Sequence, residues 1–299
     1  MSVKSASDSS VSYNPCDLSI CIITYRRPEL LDRCLASVRV SLDLLSNCYW
    51  EVIVSDDCPL KSALPIVENS GLACWVQGPG RGVAANRNHV VSVTNGKWIV
   101  FIDDDEVADH NWINSIYNAI SSGKWDVIEG RVEPVDYPDS ILWYAPCISA
   151  GGAYCTANLA INKDYFYMLG CFNENFSVSH EDVEFGRRIS SSLPRSLYLN
   201  QAIVYHPARS MTFVAVLNRM VNLQCQSYLY QVHEPLKLSL PQFSFLLSFM
   251  FKYWFRIVRF ELAARTKSQW RRQLQSSVLL LFTTPIAFIK ILNMHICSD

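Results

Sequence analysis

The sequence lacks several features that would assign it at once to a common class of protein. None of its 11 cysteines forms a C-x-x-C pair, which argues against a zinc ribbon or a thioredoxin-type redox site. Glycine is scarce, at 11 of 299 residues, so collagen-like chains are excluded. Neither the dinucleotide fingerprint G-x-G-x-x-G nor the GK[ST] phosphate loop occurs. The scattered cysteines indicate structural thiols in a reducing compartment.

Long apolar runs of membrane-spanning length are also missing. The first 15 residues are polar, so no secretory leader is expected, and residues 1–17 are predicted to be a loose N-terminal tail. An uncharged run of 17 residues at 273–289 is interrupted by Pro285. That length is at the short limit for crossing a bilayer, so docking in the plane of a membrane is favoured over spanning.

Charge is divided unevenly along the chain, although the net charge is only −1. Residues 1–206 carry 15 basic and 24 acidic side chains, a net charge of −9, whereas residues 207–299 carry 11 basic and 3 acidic ones, a net charge of +8. In the basic part, Lys252, Arg256 and Arg259 share one stripe of a predicted aromatic helix. This pattern favours a membrane-facing helical extension, with a helical subdomain packed on the core as the alternative. No nucleic-acid motif occurs, so no nucleic-acid partner is expected.

Short apolar runs alternate with amphipathic segments over the first half of the chain. The runs LSICIIT, WEVIVS and KWIVFI are rich in β-branched residues, as is typical of parallel strands that are buried on both faces. Their alternation with helical spacing predicts a doubly wound α/β sheet. The predicted strands are 18–24, 50–55, 73–76, 97–102, 127–132 and 157–161, and the predicted helices are 29–40, 83–93, 112–121 and one from 183.

Three consecutive carboxylates, Asp103, Asp104 and Asp105, follow directly on the run KWIVFI. Ligands of doubly wound sheets bind beyond the carboxyl ends of the strands, and polar residues also follow the two earlier runs. Crowded carboxylates repel one another, and a divalent cation relieves that repulsion. Their oxygens suit Mg²⁺ or Mn²⁺ bound together with substrate phosphates, with a solvated acidic turn as the alternative interpretation.

Two further groups have both a catalytic and a structural interpretation. Glycines precede the helix that carries Arg87, with Arg81 between them, and such a segment suits either a diphosphate or a simple turn. Glu181 and Asp182 directly precede the helix predicted from residue 183, where acids favour the helix dipole but also suit a general base. His206 ends an apolar run and is interpreted either as a site residue or as a core histidine.

In combination these residues resemble the family 2 glycosyltransferases, which have the GT-A fold. The resemblance implies a GT-A domain with a doubly wound mixed sheet over residues 18–206 and a basic, aromatic helical extension over 207–299. Two departures are Cys58-Pro59, where the family has Gly-Ser, and Asn173, where it has Asp. The matching segments occur in the family's order, at 19–38, 51–57, 80–88, 96–106 and 155–189.

The resemblance also implies roles for individual residues. Asp182 would be the general base of an inverting transfer, and Glu181 would lie on the acceptor side. The metal, Mn²⁺ or Mg²⁺, would be held by Asp105, Asp103 and His206. Either Asp56 or Asp57 would bind the base of the nucleotide, and Asp56 is favoured. The residues expected to bind the nucleotide sugar are Thr24, Tyr25, Arg27, Asp56, Arg81, Arg87, Asp103 and Asp104.

The expected activity is transfer of a sugar from a nucleotide-diphosphate donor to an acceptor hydroxyl, with inversion, in polysaccharide or cell-envelope glycan synthesis. The acceptor would be a glycan or a lipid-linked sugar, and the protein would lie on the cytoplasmic face of a membrane. One alternative is a sugar-phosphate nucleotidyltransferase, although the segment after the first predicted strand lacks the glycines of such enzymes. The other is a non-catalytic scaffold of a glycan-synthesis complex.

Overall fold

The computed structural model describes residues 17–46, 48–136, 138, 142–176, 180–212 and 215–216. These fall into two units, and the division lies after Glu133, before Pro146 and after His206. The predicted tail and nearly all of the predicted extension, including Lys252, Arg256, Arg259 and the run 273–289, lie outside the described residues. Within the described ranges, no helix has the length and apolar character needed to cross a membrane.

The described residues form ten strands and six helices. The strands are β1 (Leu18–Thr24), β2 (Trp50–Asp56), β3 (Cys74–Gln77), β4 (Trp98–Ile102), β5 (Val107–Ala108), β6 (Val127–Val135), β7 (Trp143–Tyr144), β8 (Asn158–Asn162), β9 (Ser196–Pro207) and β10 (Arg209–Ser210). The helices are α1 (Pro28–Leu42), α2 (Leu64–Ser70), α3 (Val83–Ser92), α4 (Trp112–Ser121), α5 (Lys163–Met168) and α6 (Glu181–Ser191).

Eight of the strands form one mixed sheet in the order β3-β2-β1-β4-β8-β6-β9-β5. One half is parallel, because β1 pairs in parallel with both β2 and β4, and β2 does so with β3. The other half begins at β8, which runs antiparallel to β4 and β6, and β5 runs antiparallel to β9. The prediction of an α/β fold with a mixed sheet is therefore confirmed. In the second unit, β7 and β10 form a two-stranded antiparallel sheet.

The two faces of the large sheet carry separate apolar cores. Alternate residues of β1 point to opposite faces, as strand geometry requires. Leu18 and Ile20 pack in a cluster with Leu31 of α1 and Trp112 of α4. Cys21 packs in the opposite cluster, which contains residues of α3, α5 and α6. Helices therefore cover both faces, which is why the central strands read as continuous apolar runs.

Helix α6 is fixed to its face of the sheet by an aromatic cluster. The ring of Phe185 lies 4.6 Å from that of Phe172 and 5.3 Å from that of Phe166, measured between centroids. Phe101 of β4 contacts Phe166 and Phe172. All four side chains are buried. The cluster thus sets the distance between α6 and the strand that precedes the acidic run.

Several elements differ from the predicted ones. The elements that were not predicted are α2, α5, the short strands β5, β7 and β10, and the twelve-residue strand β9. Helix α6 begins at Glu181 rather than at residue 183. Strand β6 extends to Val135, three residues beyond the predicted end. Glu181, the first residue of the helix, is buried, so an acidic residue contributes to the inner face of α6.

Candidate active site

The ends of three parallel strands meet at one edge of the sheet. Thr24 ends β1 and pairs in register with Asp56, which ends β2, and the three acids come directly after β4. Thr24 Oγ1 donates a hydrogen bond to Asp104 Oδ2 over 2.7 Å. The polar residues that the sequence places after separate strands are therefore neighbours, as expected for this class of sheet.

Asp104 is a buried anchor between the loops after β1 and β4. Arg27 Nη1 lies 3.1 Å from Asp104 Oδ1 and 3.4 Å from Asp105 Oδ2, so it joins both carboxylates. Burial raises the pKa of Asp104 to about 6, even though the charge of Arg27 and the hydrogen bond from Thr24 oppose the shift. Thr24, Arg27 and Asp104 thus act together in fixing the turn that carries Asp105.

Asp105 also lies next to His206. His206 Nε2 is 3.5 Å from Asp105 Oδ1, and both side chains are buried. Asp103 is directed elsewhere, and in the described part of the chain no group of three or more His, Cys, Asp or Glu residues is arranged to hold a metal. The carboxylate of Asp105 suits Mn²⁺ or Mg²⁺, because these ions prefer oxygen ligands and take further ones from phosphates and water.

Asp103 belongs to a second group of charges, centred on a buried arginine. Arg87 of α3, only 6% exposed, places Nη2 2.8 Å from Asp103 Oδ1 and forms an ion pair through Nη1 with Glu181 Oε1. Burial alone would lower the pKa of this guanidinium, but the surrounding carboxylates, that of Asp103 first, raise it above the usual arginine value. Burial raises the pKa of Glu181, and Arg87 opposes that shift.

Glu106 stabilises the turn that contains Asp103 through a hydrogen bond within the turn. Its side chain is completely buried, and its Oε2 accepts a hydrogen bond of 3.0 Å from the backbone N–H of Asp103. Burial and the charge of Asp103 raise the pKa of Glu106 well above its ordinary value. The sequence shows Glu106 only as a fourth acid in a row, and its hydrogen bond from the backbone N–H of Asp103 is the feature that identifies it as a support of the turn.

Asp182 is the partly exposed carboxylate at the start of α6. Its Oδ2 accepts a hydrogen bond from Cys155 Sγ over 3.4 Å, and its Oδ1 accepts one of 2.8 Å from the backbone N–H of Val183. Burial and the charge of Asp182 raise the pKa of the Cys155 thiol well above its ordinary value, so the sulfur stays protonated and donates. Glu181, in contrast, is buried. The two acids of one motif therefore have different surroundings, and only Asp182 has a solvent-facing surface.

Asp56 and Asp57 both organise loops at the edge of the sheet. Asp56 is completely buried, and its two oxygens accept hydrogen bonds from the backbone N–H groups of Cys58 and Ala63, at 2.9 and 2.8 Å. Asp57 accepts hydrogen bonds from the backbone N–H groups of Gly80 and Gly82, at 2.9 and 3.2 Å. Both glycines have positive φ, at 67° and 96°, a conformation that other residues rarely adopt. The assignment of Asp56 to the nucleotide base stays a prediction.

The two remaining predicted residues lie at the surface. Tyr25 is half exposed, and the guanidinium of Arg26 lies 5.1 Å from the centre of its ring. Arg81 is also exposed and forms an ion pair of 2.5 Å with Glu174. Asn88 binds the same turn, because it exchanges two hydrogen bonds with the backbone of Phe172.

Five supporting residues were given no role from the sequence: Arg26, Asn88, Glu106, Cys155 and Glu174. Arg26 and Glu106 lie close in the sequence to their partners, but no spacing rule joins the other three to theirs, since Asn88 and Phe172 are 84 positions apart. Glu174 lies in a segment that the family resemblance suggests is only a structural turn. Its contact with Arg81 depends on how that turn lies against α3, which the sequence does not reveal.

Comparison with known proteins gives relatives of one kind. The model of glycosyl transferase family 2 matches residues 19–179, more than half of the chain. The glycosyltransferase AglE of Haloferax volcanii is 24% identical over 208 residues, which cover 64% of this chain and 67% of AglE. The succinoglycan biosynthesis protein ExoM of Rhizobium meliloti is 31% identical over 136 residues, which cover 42% of this chain and 41% of ExoM.

The solved structures agree with this result at the level of the fold. A mannosyltransferase from Pyrobaculum calidifontis, in complex with GDP-Man and Mn²⁺, matches with a TM-score of 0.61 and 14% identity, over 92% of this chain and 86% of its own. The mixed sheet is accordingly that of the GT-A fold. The matched residues include β2, β4 and the acids that follow them, whereas Asp182 and His206 lie beyond the matched range. Because the family model matches more than half of the chain, the chain belongs to glycosyl transferase family 2.

Proposed function

We propose that the protein transfers a sugar from a nucleotide-diphosphate donor to an acceptor hydroxyl, with inversion, in the synthesis of a glycan or polysaccharide. The observation that carries this proposal is the partly exposed carboxylate of Asp182, held by Cys155 and Val183 at the start of α6. An acid of the turn after β4 is tied to the same helix through Arg87. Family membership supports transfer over the nucleotidyltransferase alternative.

The donor is assigned to the edge where β1, β2 and β4 end. Thr24, Tyr25, Arg27, Asp56, Arg81, Asp103 and Asp104 are the residues proposed to bind or shape its site. Asp105 and His206 would hold Mn²⁺ or Mg²⁺, which when bound would offset the negative charge of the departing diphosphate. The Mn²⁺ and GDP-Man present in the mannosyltransferase of similar fold support both parts of this assignment.

The acceptor is assigned to the side of Asp182. Its carboxylate removes the proton of the acceptor hydroxyl while the hydroxyl oxygen bonds to the anomeric carbon. The bond from that carbon to the diphosphate oxygen breaks on the opposite face, so the configuration inverts. Glu181 does not compete for the proton, because Arg87 binds it inside the protein. A general base in this position contributes about 10²–10⁴-fold to the rate.

The natural acceptor is proposed to be a glycan or a lipid-linked sugar at the cytoplasmic face of a membrane. The net charge of +8 over residues 207–299 supports attraction to anionic lipid. The name of ExoM, a succinoglycan biosynthesis protein, supports a polysaccharide product.

The first experiment is a thermal-shift screen against UDP-, dTDP- and GDP-sugars, each with Mn²⁺ and with a chelator. A ligand that binds only the folded state raises the melting temperature. We expect a shift for one nucleotide class that disappears with the chelator. The selected donor is then used to compare the wild type with Asp182→Asn.

Asp182→Asn should retain donor affinity by calorimetry but lose about 10²–10⁴-fold in transfer rate. Asp126→Asn is the control, because Asp126 pairs with exposed Arg195 away from the site and should leave both quantities unchanged. Full transfer by Asp182→Asn would remove the proposed base. Donor binding without transfer by the wild type, whatever the acceptor glycan, would favour the scaffold alternative.

A further inference from the structure

A single buried arginine connects the two sides of the proposed site. Arg87 was predicted to face the nucleotide, but both of its terminal nitrogens are engaged by carboxylates of the protein, those of Asp103 and Glu181. We infer that Arg87 is a positioning residue, which sets the place of the helix bearing Asp182 relative to the acids that follow β4. This inference rests on the proposed function, because it takes Asp182 as the base.

The geometry of the arginine suits this task. A guanidinium is planar and presents its donors in a fixed fork, so two carboxylates held by its two terminal nitrogens have a defined separation. The side chains of Arg87 and Glu181 are 7% and 6% exposed, so water does not weaken their interaction. Removing one partner of such a pair leaves an uncompensated buried charge, which is strongly unfavourable.

The arginine is itself fixed by its two neighbours in the sequence. Asn86 accepts a hydrogen bond of 2.6 Å from Ser55 Oγ, and its amide donates to the backbone of the same residue of β2. Asn88 exchanges hydrogen bonds of 2.9 and 3.0 Å with the backbone of Phe172, in the turn that precedes α6 along the chain. Three successive residues of α3 therefore hold three different parts of the domain, and the middle one reaches the site.

The connection reaches Asp182 through the backbone. Glu181 is the first residue of α6 and immediately precedes Asp182, so a displacement of Glu181 moves the base. Asp103 lies in the acidic run, two residues before the proposed metal ligand Asp105. Arg87 thereby fixes the base with respect to the donor, and a misplacement of about 1 Å costs about 10²-fold in rate.

The test compares Arg87→Lys, Glu181→Asp and the double variant, using the nucleotide sugar selected by the thermal-shift screen, with Mn²⁺. A lysine keeps the charge but lacks the fork, and an aspartate keeps the charge but shortens the reach. We expect each single variant to lower kcat by about 10–100-fold while donor affinity changes less than about threefold. The kcat of the double variant should be no more than about threefold below that of the less active single variant, because both substitutions disrupt the same ion pair.

If Arg87 instead binds the diphosphate, Arg87→Lys weakens donor binding but leaves kcat, measured at saturating donor, near the wild-type value. In the double variant, the effects of Arg87→Lys and Glu181→Asp on kcat/KM then multiply, as they do for independent residues. That result overturns the inference. If Arg87→Lys does not fold, Glu181→Asp decides alone, since an unchanged kcat contradicts the link. Arg195→Lys, which alters an exposed ion pair with Asp126, is the matched control and should leave kcat and donor affinity unchanged.

The outcome for Asp182→Asn keeps the two proposals separate. A loss of transfer in Asp182→Asn together with independent effects of the other two substitutions leaves the general base in place and removes only the role of Arg87. Full transfer by Asp182→Asn would show that Asp182 is not the base, and it would also overturn the inference that Arg87 positions that base.

Discussion

The carboxylates at the end of the parallel half of the sheet differ from the one on α6 in their burial and in their partners. On the parallel side, Asp56, Asp104 and Asp105 are buried, and each has polar or charged partners in neighbouring loops. Beyond the antiparallel half, α6 presents Asp182, which is partly exposed and has a thiol and one backbone N–H as partners. The first arrangement is a prebuilt framework of compensated charges, whereas the second leaves one carboxylate open to a substrate. Under the proposed function, donor binding and proton transfer therefore have differently built surroundings, which Arg87 links through Asp103 and Glu181.

The sharpest test of this contrast is a pair of carboxamide substitutions. Asp105→Asn should weaken Mn²⁺-dependent donor binding by more than about 100-fold, because changes even in the outer shell of a metal site cost 10–100-fold. Asp182→Asn should leave that binding unchanged. Calorimetric titration with Mn²⁺ and with a chelator measures both, and equal affinities in the two variants would contradict the division.

Phe185→Ala tests whether the aromatic cluster anchors α6, the helix that carries Asp182. Deleting a fully buried phenylalanine costs about 3–5 kcal/mol in the free energy of unfolding, because apolar contacts are lost and a cavity remains. Urea unfolding measures the change. Val183→Ala on the same helix, at a side chain that is 45% exposed, should change stability by less than about 0.5 kcal/mol. Similar losses in both variants would argue against the aromatic cluster as the anchor of α6.

The weak partner of Asp182 should contribute a smaller effect. Cys155→Ala removes the S–H donor, so the carboxylate is less well oriented, and kcat should fall by about 2–10-fold, as for the loss of one hydrogen bond. Donor affinity should change little, since in the described part of the chain the hydrogen bond of the Cys155 thiol goes to Asp182 and not to the acids after β4. Cys155→Ser should recover part of the loss, and steady-state kinetics at saturating donor distinguishes the two. An Ala variant with unchanged kcat would show that the thiol does not orient the base.

The smallest expected effect concerns stability on the parallel side. Burial would raise the pKa of Glu51, but hydrogen bonds from Ser19, Asn95 and Gly96 hold it below its ordinary value. The stabilisation it gives is therefore present above the unfolded pKa, near 4.5, and is lost as the pH falls below it. Glu51→Gln should lower the free energy of unfolding by about 1 kcal/mol or less at pH 7, given its partial exposure. The difference from the wild type should shrink towards pH 3 in urea titrations, and a constant difference would contradict this account.

The sequence predicts the parallel half of the fold well, because that half is encoded locally. The runs that became β1, β2 and β4 are continuous and apolar, and the acids follow them directly. Strand β9 was missed, since its alternation of buried and exposed residues includes polar residues such as Asn200 and Gln201. Helix α6 was placed two residues late, because a buried Glu181 does not fit the apolar periodicity.

The candidate site divides in the same way. Asp103, Asp105 and Asp182 were predicted as site residues because each belongs to a short motif, and the variants above test their roles. The pairing of Arg87 with Glu181 did not follow, since 94 positions separate the two residues and neither motif specifies the other. An arginine beside glycines suggests a phosphate ligand, and only its burial in the fold shows that protein carboxylates already occupy it.

These long separations also determine when the site forms during folding. The bond from Thr24 to Asp104 closes a segment of 80 positions, and the link from Arg87 to Glu181 closes one of 94. Contacts between distant parts of a chain form late, because the entropy of loop closure must be lost first. A nascent chain that ends before residue 181 contains the acids after β4 but lacks the proposed base and leaves Arg87 without one of its two carboxylates. Under the proposed function, transfer therefore requires that α6 has docked and that β9, which carries His206, has joined the sheet, so activity reports on the assembly of these two late elements.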